Sequence, residues 1–297
     1  MSRSNAEVAL PNRRAARRSF DRARAFAEDW PVHDEARRRL FERLSWTRIE
    51  PQVAVDLGSA AGAGTAELAR RFPAARVLAL DSSLGMLRHP RSTAASPASV
   101  TPLAGDAERL PLRAHCAQLL FANLLLPWCL PPAVFAEAAR VLTPGGLLIF
   151  ATLGPDSLQE IRRAWAAVDD RIHVHAFFDM HDLGDLALAA GLAEPVMDVD
   201  RIEVSYADLG SLVRDLRASG AVNVANGRRR SLTGPKRWRA FEQRLLAQRR
   251  DQRLTVTLEL VFGQAWGRGL MESTYSAEPA EVGISIDRIG RRSPRGE

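Results

Sequence analysis

The feature that most constrains this chain is a rhythm of short apolar runs, each closing on an acid or a glycine. "QVAVDLG" (52–58) is apolar without alternation and ends in Asp56, Leu57 and Gly58, which reads as a strand buried on both faces. "AGTAELARRF" then reads as a helix. "ARVLALD" (75–81) is a second strand ending in an acid, and "SLGMLR" is a helical turn. "SVTPLAGDA" (99–107) is a third strand, weakened by Pro102, and "AQLLFANLL" (117–125) is a fourth. "PAVFAEAARVL" is a helix stopped by "TPGG" (143–146), and "GLLIFATL" (146–153) is a fifth strand. Such alternation predicts an α/β fold with a doubly wound, seven-stranded, mostly parallel sheet once the later strands are counted.

The second half is more helical. Helices are expected over 156–169 and 179–191, the latter with Asp179 as N-cap and Gly191 at its end. A sixth strand is expected over 194–206 and a seventh over 254–267. The stretch between them is too long for a hairpin and reads as a helical insertion, about residues 207–250, that covers the carboxyl edge of the sheet. N-terminal helices are expected from Phe20 to Leu44, with a break at Pro31. The organisation is thus a flexible basic arm (1–19), a main domain (20–267) and a tail (268–297).

Composition narrows the setting. The formal net charge of the 297-residue chain is +6, almost all of the positive charge is arginine, and Lys236 is the only lysine. Such a surface suits an acidic partner. The two cysteines, Cys116 and Cys129, have no metal-type spacing. No apolar run is long enough for a membrane helix, and the N-terminus lacks the apolar core of a secretory signal, so a cytoplasmic protein with no membrane partner is expected; a monomer is the expected state, though the sequence does not fix it. The basic arm has no interleaved aromatics, which argues against nucleic acid. His173, His175, His181, Asp179 and Asp182 lie close in sequence, but helix capping by Asp179 accounts for the cluster more simply than a metal does.

The loop after the first strand is compatible with three readings: a dinucleotide site, an S-adenosylmethionine site, or a site that has lost its ligand. The dinucleotide fingerprint needs glycine where this chain has Ala60, and the Asp56 carboxylate would repel a pyrophosphate. S-adenosylmethionine has no phosphate. Its cationic end suits an acid at a strand end, and its carboxylate suits helix N–H groups. The pattern D-x-G-x-G-x-G reads here Asp56-Leu57-Gly58-Ser59-Ala60-Ala61-Gly62. Asp81, ending the second strand, is placed for a ribose diol, and Asp106, after the third, for an adenine amino group. If position 60 requires a positive φ, its alanine costs on the order of 1 kcal/mol.

With these residues in hand, the loop, "VLALDSSLGMLR" and "GDAERLPL" resemble class I S-adenosylmethionine-dependent methyltransferases of Rossmann-like fold. "FANLLLPWC", "ARVLTPGGLLIFATLGPDSLQEIRRAW", "HVHAFFDMHDLGD" and "GRRRSLTG" are similar to the malonyl-acyl-carrier-protein O-methyltransferases of biotin synthesis, and the similarity spans about Arg17 to Gly267. The resemblance implies S-adenosylmethionine as cofactor and a malonyl-phosphopantetheine thioester on acyl-carrier protein as substrate. It implies a cofactor site of Asp56, Gly58, Ser59, Ala60, Gly62, Asp81, Ser82, Met86, Asp106, Ala107 and Asn123. Phe20, Trp128, Arg228, Arg229 and Arg230 are the substrate-pocket candidates. No catalytic acid or base is implied, because a carboxylate is already a nucleophile at neutral pH. Where the family has a Tyr-Asp pair after its F-D-R-A-A, this chain has Ala27-Glu28. Two further readings stand beside this one: a methyltransferase-fold assembly factor such as the arginine hydroxylase type of respiratory complex I, and a diverged paralogue that binds a protein partner.

Overall fold

A computed structural model of the chain describes residues 10–23, 31–88 and 100–269. Its strands are β1 (Val53–Leu57), β2 (Arg76–Asp81), β3 (Val100–Ala104), β4 (Ala117–Asn123), β5 (Leu142–Leu153), β6 (Leu192–Tyr206) and β7 (Leu254–Gly267). They form one sheet in the order β3-β2-β1-β4-β5-β7-β6. β1 to β5 run parallel, and β7 is antiparallel to both β5 and β6. The helices are α1 (Arg13–Ala23), α2 (Pro31–Leu44), α3 (Ala63–Arg71), α4 (Leu84–Arg88), α5 (Pro131–Val141), α6 (Gln159–Ala166), α7 (Met180–Ala189), α8 (Leu209–Ala218) and α9 (Pro235–Leu246). The doubly wound, mostly parallel seven-stranded sheet expected from the sequence is the one that forms.

Each face of the sheet carries its own apolar cluster. α2 buries Val32, Ala36, Leu40, Phe41 and Leu44 on one face, and Phe41 stacks on Phe121 of β4 with ring centroids 4.6 Å apart. α5 covers the other face through Val134, Phe135 and Ala138, and Phe135 meets Phe150 of β5 at 5.5 Å. A central strand covered twice has no wet side, so β1 buries Ala54 to Leu57 without alternation. β6, at the edge, alternates buried or half-buried positions with exposed ones. Pro102 sits in β3, the other edge strand, where a missing backbone donor is tolerated.

The register of β7 positions everything above the sheet. Leu153, the end of β5, pairs with Leu260, yet β6 continues along β7 as far as Tyr206 opposite Leu254. The ladder of β6 and β7 therefore overhangs the carboxyl end of β5, and α8 and α9 hang from it. Glu160 of α6 holds the overhang by accepting the N–H (3.0 Å) and the hydroxyl (2.6 Å) of Thr257. Ser157 and Glu259 exchange a second pair of bonds, at 3.1 and 3.0 Å.

The structure departs from the sequence expectations in two places. The stretch read as a flexible arm, 1–19, contains the first half of α1. Asn12 caps that helix by accepting the Ala15 N–H (3.0 Å) and anchors it by donating its own N–H to Val224 (2.7 Å). Residues 1–9 and 270–297, and the Ala27-Glu28 pair, lie outside the described residues. Second, β5 starts at Leu142 rather than Gly146. The T-P-G-G turn becomes a bulge, with Ala117 opposite Leu142 but Leu119 opposite Leu147, and Gly145 takes a φ of 70°.

Gly263 of β7 lies under the Phe150 ring. A Cβ there would come within 2.2 Å of Phe150 Cζ and 2.6 Å of Met197 Sδ. Phe150 is fully buried and has no room to yield. Gly263→Ala is expected to destabilise the protein by about 2 kcal/mol, read as a lowered urea midpoint with an unchanged m-value.

Candidate functional site

β1 and β4 are neighbours whose connections leave in opposite directions, one toward β2 and β3 and the other toward β5. Such a switch point leaves a crevice at the strands' carboxyl ends. A cavity of about 780 Å³ opens there.

Its floor is the loop between β1 and α3. Gly58 has φ 72°, and the Gly58 and Ser59 N–H groups both donate to the Leu80 carbonyl, at 2.8 and 3.0 Å. Gly62, with φ 94°, is the N-cap of α3. Ala60 has φ 47°, so the position lies in the left-handed region and its methyl group is strained. The Ala60 N–H compensates in part by donating to Asp81 Oδ2 at 2.9 Å. Gly64 is needed for space, because a Cβ there would lie 3.0 Å from Asp56 Oδ2.

Two of the three strand-end acids are deeply held. Asp56 is 2% exposed and accepts the Thr65 hydroxyl at 2.6 Å. Burial pushes its pKa up to about 7, the Asp81 charge adds to this, and Thr65 and Arg37 oppose it. Burial also raises the pKa of Asp81, against the Ser83 and Ala60 N–H groups that favour its charged form. Asp106 accepts the Glu108 N–H at 3.0 Å and pairs with Arg13 of α1, which also reaches Glu108 at 2.9 Å.

The cavity gathers Asp56, Gly58, Ser59, Ala60, Asp81, Ser82, Met86, Asp106, Ala107 and Asn123, together with Phe20 and Trp128. Gly62 does not line it and serves as the helix cap instead. Two buried polar atoms of the lining, Ser59 Oγ and Asn123 Oδ1, have no hydrogen-bond partner among the described residues. Orphaned acceptors, buried carboxylates and a glycine-lined approach fit a ligand with cationic and hydroxyl groups better than a phosphate.

α1 forms a wall of which sequence reasoning found only Phe20. Arg13, Ala16, Arg17 and Phe20 follow one helical face into the cavity. Asp21 ties the helix to the loop after β2 by accepting the Ser83 hydroxyl at 2.6 Å, and Ser19 ties it to Gly220 at 3.1 Å. The signal was present as i, i+3, i+4 spacing, but the arginines gave the segment the look of a solvated arm.

A second cavity, about 420 Å³, lies under the overhang. Its walls are mostly aromatic and aliphatic, with Trp165, His173, His175, Phe177, Trp238 and Phe241 among them. His33, Leu124 and Trp128 line both cavities. Leu124 holds its place with a strained φ of 53°. Trp128 meets Phe20 edge-on at 5.1 Å on one side and His175 at 5.1 Å on the other. Arg228 and Arg229 line this second cavity, whereas Arg230, expected beside them, lines neither and is exposed. His181, by contrast, donates its backbone N–H to the α7 cap Asp179 at 2.8 Å, as capping requires.

Residues 55–150 match a family model described as a methyltransferase domain. A malonyl-acyl-carrier-protein O-methyltransferase from Laribacter hongkongensis is 41% identical over 88% of this chain and 91% of its own length. One from Gallionella capsiferriformans is 38% identical over 86% and 91%. One from Halorhodospira halophila is 38% identical over 95% and 96%. Among solved structures, the YcgJ protein of Bacillus subtilis covers 77% of this chain and 98% of its own, with a TM-score of 0.55 and 13% identity. A methyltransferase from Thermotoga maritima whose name specifies S-adenosylmethionine covers 85% and 100%, with a TM-score of 0.51 and 17% identity.

Ala60→Gly removes the left-handed strain while keeping the N–H bond to Asp81. It is expected to raise stability by about 1 kcal/mol, measured by chemical denaturation without ligand. His175 is 4% exposed, and neither ring nitrogen makes a well-formed hydrogen bond among the described residues. Burial, helped by the Arg162 charge and opposed by the Pro127 carbonyl, pushes its pKa down to about 4. The neutral ring's contribution is therefore full above about pH 6.5 and is lost as pH falls toward 4. His175→Phe keeps the ring contacts, so its denaturation midpoint should fall less than that of the wild type across that window.

Proposed function

The chain belongs to the malonyl-acyl-carrier-protein O-methyltransferase family, and from that membership we propose that it methylates the free carboxylate of a malonyl thioester on acyl-carrier protein, an early step of biotin synthesis. It is an S-adenosylmethionine-dependent enzyme. The observation that supports the substrate reading best is the pair of cavities sharing a wall at Trp128. One is lined by the strand-end acids together with Arg13, Arg14, Arg17 and Arg37, the other mostly by aromatic and aliphatic side chains with Arg217, Arg228 and Arg229 among them.

In this reading the larger cavity holds S-adenosylmethionine, which when bound supplies an electrophilic methyl group on a sulfonium. Asp56 faces the cationic methionyl end, Asp81 takes the ribose hydroxyls, and Asp106 serves the adenine side. Ser59 and Asn123 offer the acceptors that lack partners among the described residues. The thioester arm lies in the smaller cavity and presents its carboxylate beside Trp128. The carboxylate needs no general base, so the chain's own contribution is positioning and the exclusion of water by Phe20, Trp128 and their neighbours. The product ester has lost its charge.

The reading also takes the chain as a monomer that meets neither nucleic acid nor membrane. Among the described residues, no helix is long and apolar enough to cross a membrane.

The deciding assay combines purified protein, S-adenosylmethionine and malonyl-loaded carrier protein. Formation of the methyl ester is expected, and its absence with both ligands saturating would sink the reading. Cofactor affinity carries a pH signature. Asp56 is largely protonated below about pH 7 and must ionise to face a cation. Affinity for S-adenosylmethionine should rise about tenfold from pH 6 to pH 8, and Asp56→Asn should flatten that rise.

A further inference from the structure

Between Leu209 and Ala240 the chain has eight basic residues and one acid, Asp215. Several arginines elsewhere are matched: Arg39 and Arg43 pair with Asp198 and Asp200, and Arg140 with Glu137. In this segment, among the described residues, the one ion pair is Arg237 with Asp169 at 3.9 Å. The loop of Arg228, Arg229 and Arg230 is shaped by bonds that leave its charge unmatched. Arg228 donates to the Ala225 carbonyl at 2.9 Å, and Arg229 donates to the Ser231 hydroxyl at 2.6 Å. Leu232 follows at once and is 93% exposed, the most exposed large apolar side chain among the described residues.

An exposed leucine alone needs no explanation. Its setting gives this one a meaning. Arg228, Arg229, Ser231 and Thr233 of the same loop line the smaller cavity, which continues inward to Trp128. An exposed apolar side chain just after three unmatched arginines thus stands on the loop that lines the cavity a thioester arm would enter.

We propose that this loop is the docking surface for the carrier protein, which meets the arginines with acidic side chains and receives Leu232 in an apolar recess while its arm passes into the smaller cavity. The inference rests on the functional reading above and names where its macromolecular substrate binds. Unmatched surface cations steer an acidic partner and set its orientation, so their removal acts on encounter and not on the methyl transfer itself.

The test compares two substrates that carry the same thioester: malonyl-loaded carrier protein and malonyl-pantetheine. Arg230→Glu and Leu232→Ser are suited to it, because both side chains lie outside the two cavities. Each variant should raise KM for the loaded carrier, by about tenfold for Arg230→Glu and severalfold for Leu232→Ser. KM and kcat for malonyl-pantetheine, and affinity for S-adenosylmethionine, should stay within about twofold. Raising NaCl from about 50 to about 300 mM should weaken wild-type kcat/KM for the carrier more than that of Arg230→Glu. Equal effects on both substrates, or none on either, would overturn the docking surface. So would a charge-reversal effect confined to binding of a single-stranded oligonucleotide. A wild type that methylates malonyl-pantetheine with no preference for the carrier also overturns it. A wild type that methylates neither removes the functional reading, and the inference with it.

Discussion

The divergence of the chain on either side of the β1–β4 pair is the constraint from which the chemistry of this molecule descends. Two adjacent parallel strands whose connections depart in opposite directions leave their carboxyl ends uncovered. The first loop lies across that gap, its Gly58 and Ser59 N–H groups tied to the Leu80 carbonyl and that of Ala60 to Asp81, and the strand ends supply acids. Keeping Asp56 there has a cost: its burial disfavours the charged form, and one hydroxyl bond from Thr65 offsets only part of that. The surrounding sheet and the stacked Phe41 and Phe121 hold the geometry in spite of it.

The second constraint is the antiparallel β7. A parallel neighbour would have needed a crossover connection. The antiparallel ladder of β6 and β7 instead runs past Leu153 and carries α8 and α9 over the edge. The smaller cavity is the space beneath. Its polar anchors, Glu160 on Thr257 and Ser157 with Glu259, are buried or half-buried bonds between residues about a hundred positions apart in sequence.

Much of this was legible in the residues, for local reasons. Strand-end acids, glycines at the turn and buried runs without alternation are decided by short-range sterics and by which faces are covered. The ambiguity at Ala60 was legible too, as a conditional cost that its φ of 47° now makes real. What could not be read was register and long-range convergence. Nothing in "LTVTLELVFGQAWG" says that Leu260, rather than Leu258, meets Leu153. The T-P-G-G bulge depends on pairing with Ala117 across the sheet. The first turns of α1 read as an arm in the sequence because their anchors, Val224 and Gly220, lie two hundred residues away. His175 looked like part of a polar cluster and is instead a buried ring against Trp128.

The overhang has one more consequence, and it concerns inheritance. The half of the molecule that surrounds the acids is tied together strand by strand, and a change there disturbs several neighbours at once. The cover hangs from a two-stranded ribbon, packs Leu209, Leu212, Phe241 and Leu245 into the apolar cluster of the sheet, and is tied to the N-terminal helix by backbone bonds, but its outer loop is exposed. Its loop can gain, lose or exchange residues with little effect on the sheet below. A lineage can therefore vary what that outer loop meets while the acids beneath it stay the same.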